Sequence, residues 1–171
     1  MRVLLQRVTR ASVTIDGEVV GVIGQGLLLL VGVAEGDGAS EIDLLAAKVV
    51  NLRIFEDEDD RMNRSLLDLV AAAAAQGDQS AAGALVVSQF TLYANTRKGR
   101  RPSFTRAASP AIAEPLVARF ASRLVELGVP VQQGRFGAGM AVELINDGPV
   151  TIWLDSDDLQ RPAMADTERT A

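Results

Sequence analysis

The chain has 171 residues, 48% of them hydrophobic, which fits one globular domain with a packed core. It contains neither cysteine nor histidine, and this excludes disulfides, thiolate nucleophiles, zinc sites built on those residues, and Ser-His or Cys-His catalytic arrangements. The net charge of −5 gives no overall attraction to nucleic acid, so any such contact must be local.

The first ten residues, MRVLLQRVTR, carry three arginines and no long apolar run. They are therefore typical neither of a secretory signal peptide nor of a membrane span. We expect a soluble cytoplasmic protein without membrane contact, and the absence of cysteine is consistent with that compartment.

Residues 2–33 have the pattern of β-strands. Alternating apolar residues over 11–15 precede Asp16 and Gly17, a pair suited to the positive φ angles of a type I′ turn, so a hairpin is predicted. The continuous apolar run of residues 27–33 predicts a central strand that is buried on both faces.

Residues 40–53 have the pattern of an amphipathic helix. Ser40 is placed to accept a hydrogen bond from the backbone of Asp43, as in a capping box, and apolar residues follow at helical spacing. The acidic run 56–60 is typical of a solvated turn rather than of a metal cage. The alanine-rich stretch 71–83 is predicted to be a loop insertion or a short helix without chemistry.

An apolar run from residue 84 ends in the polar sequence Ser88-Gln89-Phe90-Thr91. On a strand that continues through Tyr93, Ser88, Phe90 and Leu92 would point to one face, and Gln89, Thr91 and Tyr93 to the other. Hydroxyls and an amide on a buried strand need partners, supplied either by neighbouring backbone or by a ligand. This stretch is the main candidate for a site.

A basic segment follows this candidate strand. It contains Arg97, Lys98, Arg100 and Arg101 and continues to Arg106 without an acidic residue. In a chain of net negative charge, such clustering favours contact with phosphates over an ordinary solvated loop.

The last third of the sequence predicts a helix and two strands. The helix begins at Ser109-Pro110 or at Glu114-Pro115 and ends before residue 128. Its expected buried stripe is Ile112, Leu116, Phe120, Leu124 and Leu127. Strands over 140–145 and 150–154 are expected around a turn at 146–149, and residues 156–171 are polar and unpatterned.

Several ordered motifs together resemble the D-aminoacyl-tRNA deacylases, also called D-tyrosyl-tRNA deacylases. They are MRVLLQRV at 1–8, NLRIF at 51–55, SQFTLYA at 88–94, TRKGRRPSF at 96–104 and NDGPVT at 146–151. The resemblance implies an α/β fold with mostly antiparallel sheets, a barrel-like core and two main flanking helices. It covers a single domain over 1–155. Residues 156–171 lie outside the resemblance, and their unpatterned polar sequence predicts a disordered tail. Gly139 stands where the family pattern leads us to expect an acid.

The resemblance also implies a function. The family hydrolyses the ester bond of D-aminoacyl-tRNA, and of glycyl-tRNA, while rejecting L-aminoacyl-tRNA, which is chiral proofreading in translation. Family members are homodimers with active sites at the subunit interface, and they need no metal or cofactor. A cis Gly148-Pro149 pair of one subunit would reach into the site of the other, where its carbonyl oxygens leave no room for an L side chain.

Resemblance assigns roles to further residues. Ser88 and Gln89 would orient the terminal adenosine and ester, Phe136 and Met140 would shape their pocket, and Arg7 would brace the Gly-Pro segment. A lone arginine on a strand is otherwise more often structural. The basic residues Arg97, Lys98, Arg100 and Arg101 would contact tRNA phosphates without reading bases.

Two mechanisms remain open. Thr91 would be a covalent nucleophile only if a base activated it, and no histidine exists, nor any lysine in the motif. We favour assistance to water by the 2′-hydroxyl of the terminal ribose, with backbone amides near Phe90 and Thr91 stabilising the oxyanion. The rival functions are a non-catalytic RNA-binding module, which the aromatic content of 4% disfavours, and a metal-dependent hydrolase built on residues 56–60.

Overall fold

A computed structural model of the chain describes residues 1–78 and 82–161. In chain order its elements are β1 (Arg2–Ile15), β2 (Glu18–Ile23), β3 (Gln25–Gly32), α1 (Ala39–Asn51), β4 (Phe55–Glu56), β5 (Met62–Arg64), α2 (Leu66–Ala75), β6 (Ala82–Ser88), a 3-10 helix (Phe90–Tyr93), α3 (Pro110–Glu126), β7 (Val131–Gln133), β8 (Ala141–Asp155) and α4 (Ser156–Gln160). No helix in these ranges is long and apolar enough to cross a membrane.

Strand β1 organises the main sheet. It pairs antiparallel with β2, β3 and β8, and the sheet continues from β3 through β6 to β7 by parallel pairing. A Cβ on Gly21 of β2 would lie only 3.2 Å from the carbonyl oxygen of Gln133 in β7, so the two ends of the strand path approach each other. The predicted barrel-like core, flanked chiefly by α1 and α3, is confirmed.

The predicted hairpin and central strand are also confirmed. Asp16 and Gly17 have φ angles of 52° and 84°, and β1 and β2 pair immediately on either side of them. In β3, Leu27 and Leu29 contribute to the core between the sheet and the helices, whereas Leu28 contributes to a second core inside the barrel. Because successive side chains point to opposite faces, one unbroken apolar run fills both cores.

Helix α1 begins one residue earlier than predicted. Its N-cap is Gly38, whose backbone N–H donates to the carboxylate of Glu41 at 2.8 Å. The prediction that Ser40 caps the helix is therefore wrong, because the hydroxyl of Ser40 donates to Glu41 instead. The acid at the third helical position still satisfies an otherwise unpaired backbone donor.

Of the two interpretations of residues 71–83, the helix is confirmed at the start of the stretch, and the predicted loop insertion is shorter than expected. Helix α2 extends to Ala75 because alanine is a strong helix former and Ser65 caps the start, while β6 already begins at Ala82. Residues 79–81 lie outside the described ranges.

Helix α3 begins at Pro110 with Ser109 as its N-cap, the first of the two predicted starts. Its buried residues are Ala113, Val117, Phe120, Ala121 and Leu124. Ile112 is 41% exposed, so the predicted stripe is wrong at its first position. The buried face of the helix is therefore rotated toward Ala113, Val117 and Ala121.

The tail prediction is wrong at its beginning. Ser156 is fully buried and its backbone N–H donates to the carbonyl of Met1 at 2.9 Å, and α4 follows. Residues 162–171 lie outside the described part of the chain.

The two strands predicted for 140–145 and 150–154 form one strand, β8. Its pairing with β1 passes from Val8–Asn146 to Gln6–Thr151, so β8 advances five residues while β1 advances two. The extra residues leave the ladder as a bulge rather than as a turn. This bulge contains Gly148 and Pro149, joined by a cis peptide bond as the resemblance implies.

Candidate active site

A cavity of about 570 Å³ opens beside the end of β6. Ser88, Gln89 and Phe90 line it from that end, and Phe136 and Met140 line it from the segment between β7 and β8. The structure thus brings together five of the predicted site residues. None of the described residues that line the cavity has a titratable side chain, so no lining side chain is a general acid or base at neutral pH.

The strand expected to continue through residue 93 ends at Ser88. Ser88 is the last residue of β6 to pair with β3, and the N–H of Gln89 donates to the carbonyl of Val31 at 2.7 Å. The chain then turns into the 3-10 helix. The predicted alternation of faces is therefore wrong, because Ser88, Gln89 and Phe90 all line the same cavity.

The 3-10 helix leaves backbone donors at its start. Its first hydrogen bond runs from the N–H of Leu92 to the carbonyl of Gln89 at 3.3 Å. The N–H groups of Phe90 and Thr91 precede that bond, and helical geometry gives such leading N–H groups no intrahelical partner. One of these donors belongs to Phe90, which lines the cavity, and the other to Thr91, the next residue along the chain.

Thr91 follows Phe90 but does not itself line the cavity. The residue is exposed, and its hydroxyl oxygen accepts a hydrogen bond from the amide of Gln89. Within residues 1–78 and 82–161, the hydroxyl of Thr91 makes its hydrogen bond to an amide and not to a base.

An aromatic pair forms one rim of the cavity. The rings of Phe90 and Phe104 meet edge to face with centroids 5.0 Å apart, and Phe90 is 58% exposed. Phe104 was not predicted as a site residue, nor was the wall formed by Ala113 and Val117 of α3. The only sequence signal for Phe104 was its position inside the TRKGRRPSF motif.

The part of the wall that contains Phe136 and Met140 depends on the glycine-rich segment 134–139. The N–H of Gly134 donates to the carbonyl of Val86 at 3.0 Å, which ties this segment to β6. A Cβ at Gly134 would collide with the sulfur of Met140, so glycine is required for Met140 to occupy its place. Gly137, with a φ angle of 73°, reverses the chain between Phe136 and Met140.

Arg7 is remote from the cavity but contacts the bulge of β8. Its side chain is 4% exposed, its Nε donates to the carbonyl of Asp147 at 3.0 Å, and its Nη1 donates to the carbonyl of Ile54 at 2.6 Å. Glu56 lies 3.4 Å from Nη2. Arg7 therefore joins the residue before Gly148 to the β4 region.

Gly148 and Pro149 do not line the cavity of their own chain. The bulge stands beside Arg7 of β1, and the strand order from β8 to β6 crosses β1 and β3. That path spans about 14 Å at the usual strand spacing. Arg7 is also level with Ala84, four residues before Ser88, which adds about 13 Å along the strands. Gly148 and Pro149 are themselves exposed.

The basic segment projects from the rim of the cavity. Asn95 and Ser103 exchange backbone hydrogen bonds of 2.7 and 3.0 Å, which close its base. Within the described part of the chain, the four predicted cations are exposed and form no ion pair: Arg97, Lys98, Arg100 and Arg101. Phe104 follows three residues after Arg101, so these cations adjoin the aromatic rim.

The acidic run forms the turn between β4 and β5. Its Asp57 carboxylate accepts from the N–H groups of Arg61 and Asp59, and these bonds lower the pKa of Asp57. No group of three acids is arranged to hold a metal ion within residues 1–78 and 82–161. The contacts support the turn interpretation.

Comparison with known proteins assigns the family. Residues 4–155 match the family model described as D-Tyr-tRNA(Tyr) deacylase. A protein of Thermomicrobium roseum named D-aminoacyl-tRNA deacylase is 61% identical over 160 residues, covering 94% of this chain and 97% of that protein. A protein of Roseiflexus sp. with the same name is 59% identical over 162 residues, covering 95% and 97%.

A solved structure has a similar fold. The structure titled c-Myc DNA Unwinding Element Binding Protein is 39% identical, with a TM-score of 0.79, and the match covers 91% of this chain and 98% of that one. The chain therefore belongs to the D-Tyr-tRNA(Tyr) deacylase family.

Proposed function

We propose that this protein hydrolyses the ester bond of D-aminoacyl-tRNA, and of glycyl-tRNA, to free tRNA and amino acid. The observation that carries the proposal is the cavity at Ser88–Phe90, which has the leading backbone N–H groups of the 3-10 helix at its edge and the basic segment 97–101, here called the cationic loop, at its rim. Family membership and two relatives named D-aminoacyl-tRNA deacylase support it.

The chemistry rests on the substrate and on backbone groups. An aminoacyl ester is already activated, and the described residues that line the cavity offer no titratable side chain. The 2′-hydroxyl of the terminal ribose therefore assists the attacking water, and the N–H groups of Phe90 and Thr91 stabilise the developing oxyanion. Ser88 and Gln89 orient the terminal adenosine and ester, with Phe136 and Met140 packed around them.

Stereochemical selection requires a second copy of the chain. Gly148 and Pro149 are exposed and lie several strands from the cavity of their own protomer. In a homodimer the bulge of one protomer enters the cavity of its partner, where the backbone carbonyls leave space for hydrogen but not for an L side chain. Glycyl-tRNA is accepted as well, because glycine has no side chain to clash with these carbonyls. The activity is then chiral proofreading in translation.

The cationic loop holds the tRNA. Its charges form no ion pair with the described residues, and they project beside the aromatic rim, where the 3′ end of the tRNA would enter. Contacts to phosphates position the substrate without reading its bases.

The decisive experiment compares deacylation of matched D- and L-aminoacyl-tRNA. We expect turnover of the D-substrate and of glycyl-tRNA, none of the L-substrate, and the same rates after exhaustive chelation. Binding of tRNA without turnover would support the RNA-binding module instead. Loss of activity on chelation, restored by a divalent cation, would support a metal-dependent hydrolase.

A further inference from the structure

One arginine outside the cavity joins the 3-10 helix to the end of β8. The Nη1 group of Arg2 donates to the carbonyl of Leu92 at 2.9 Å, and its Nε donates to the carboxylate of Asp155 at 2.8 Å. The side chain of Arg2 is 18% exposed and that of Asp155 is 9% exposed. Shielding from water strengthens both charge-assisted hydrogen bonds.

The same guanidinium stacks on two aromatic rings. Its central carbon lies 4.2 Å from the ring centroid of Tyr93 and 5.3 Å from that of Trp153. Tyr93 ends the 3-10 helix and is 4% exposed, and Trp153 belongs to β8. Only arginine offers a planar cation that stacks while it donates in two directions, so lysine does not reproduce this set of contacts.

These contacts act on a very short element. The 3-10 helix has four residues, and Arg2 holds the carbonyl of the third and the ring of the fourth. The orientation of the N–H groups of Phe90 and Thr91 depends on the same turn. A displacement of about 1 Å at an oxyanion-binding donor can cost about 100-fold in rate.

We propose that Arg2 is a positioning residue that holds the oxyanion-binding amides of Phe90 and Thr91 in their productive orientation. It touches no substrate and acts through Leu92 and Tyr93. The inference rests on the proposed function. It predicts that the loss of Arg2 lowers kcat while the KM for aminoacyl-tRNA, set by the cavity and the cationic loop, stays unchanged.

The test measures kcat and KM on one D-aminoacyl-tRNA for the wild type, Arg2→Met, Arg2→Lys and Asp155→Asn, with the folded fraction of each taken from urea unfolding. We expect kcat to fall about 10–100-fold in Arg2→Met, with KM within about twofold. Arg2→Lys should not restore the rate. Asp155→Asn leaves the hydrogen bond from Arg2 to the carbonyl of Leu92 in place, and its side-chain oxygen can still accept from the N–H of Asp157 at the start of α4. This variant should give an intermediate kcat, and it decides the matter if the Arg2 variants do not fold.

Two outcomes overturn the inference while leaving the proposed function intact. They are an unchanged kcat in the folded variants, or a loss of rate that merely follows the folded fraction. An inactive wild type would instead refute the proposed function, and the positioning role with it. Arg10→Met provides the matched control, because Arg10 lies on the same strand with a side chain 65% exposed.

Discussion

Arg7 of β1 holds Asp147 of β8 by two contacts. Its Nε donates to the backbone carbonyl of Asp147 at 3.0 Å and lies 3.1 Å from the carboxylate of the same residue. Asp147 immediately precedes Gly148, so a buried guanidinium fixes the first residue of the bulge. The structural and functional interpretations of Arg7 therefore do not compete, since its structural contact is made to the segment proposed to select the substrate.

Replacing Arg7 with methionine should destabilise the protein and impair the bulge. The carbonyl of Ile54 would lose its buried donor, which costs about 1–3 kcal/mol. We expect that decrease in the free energy of unfolding by urea, together with a lower rate on D-aminoacyl-tRNA. Arg10→Met is the matched control: its pair with Glu143 is 3.8 Å long and exposed, so it should contribute about 0–1 kcal/mol. Equal effects of the two changes would contradict the bracing role.

Thr91→Ala should retain most of the deacylation activity. Thr91 lies outside the cavity, and alanine keeps the backbone N–H that we assign to the oxyanion. In contrast, tRNA ending in 2′-deoxyadenosine and charged on the 3′ oxygen should be nearly inert with the wild type. Single-turnover rates for both combinations provide the measurement. Capture of an acyl-enzyme on Thr91 would establish covalent catalysis and refute the substrate-assisted mechanism.

Removing the charges of the cationic loop should weaken tRNA binding and flatten its salt dependence. The quadruple alanine variant changes Arg97, Lys98, Arg100 and Arg101. For each phosphate that the variant no longer neutralises, the slope of log affinity against log salt should fall by about 0.7 to 0.9. The preference for D- over L-substrate should not change, because selection resides elsewhere. Arg61→Ala, an exposed arginine near Asp59, serves as the control. A quadruple variant with the wild-type slope would rule out phosphate binding by this loop.

The sequence predicted the elements that local chemistry determines. The hairpin at Asp16-Gly17 follows from two residues that adopt positive φ angles, and β3 follows from a run of apolar residues that fills two cores. The bulge in β8 was not predictable in this way. Asn, Asp, Gly and Pro favour turns locally, but pairing with β1 on both sides overrides that preference.

The candidate site was predicted in composition but not in geometry. Ser88, Gln89 and Phe90 were predicted as site residues at a strand end and do line one cavity, yet their common direction depends on the turn into the 3-10 helix. That turn reflects the end of pairing with Val31 in a distant part of the sequence. The wall from α3 was missed because Ala113 and Val117 are indistinguishable from core residues by sequence alone.

Glu41 should contribute stability that depends on pH. Hydrogen bonds from Gln160, Ser40 and the N–H of Gly38 lower the pKa of Glu41 to about 2, with Gln160 as the largest cause. A folded-state pKa below the ordinary value of 4.5 means that this stability is complete above about pH 4.5 and is lost as the pH falls toward 2. Glu41→Gln should therefore flatten the fall in urea stability over that window.

A matched exposed carboxylate tests this assignment. Glu143→Gln removes a side chain that is 80% exposed and only loosely paired, so the acid dependence of stability should be nearly that of the wild type. Gln160→Ala should shift the acid dependence in the same direction as Glu41→Gln. If Glu41→Gln and Glu143→Gln behave alike between pH 2 and 4.5, the hydrogen-bonded carboxylate does not stabilise the fold.

Gly148→Ala should impair turnover of D-substrates while the protein still folds. An added Cβ would lie 2.5 Å from the amide nitrogen of Asn146, whose side chain also accepts a hydrogen bond from Gln6 at 3.2 Å. The amide must therefore move, and the methyl group would occupy space that we assign to the partner's substrate, so kcat/KM for D-aminoacyl-tRNA should fall at least about tenfold, or about 1.4 kcal/mol. Gly139→Ala is the matched control, because a Cβ there meets no atom within 4 Å. Deacylation rates of both variants on D- and L-substrates provide the measurement, and an unchanged D-rate in Gly148→Ala would show that the bulge does not enter a substrate site.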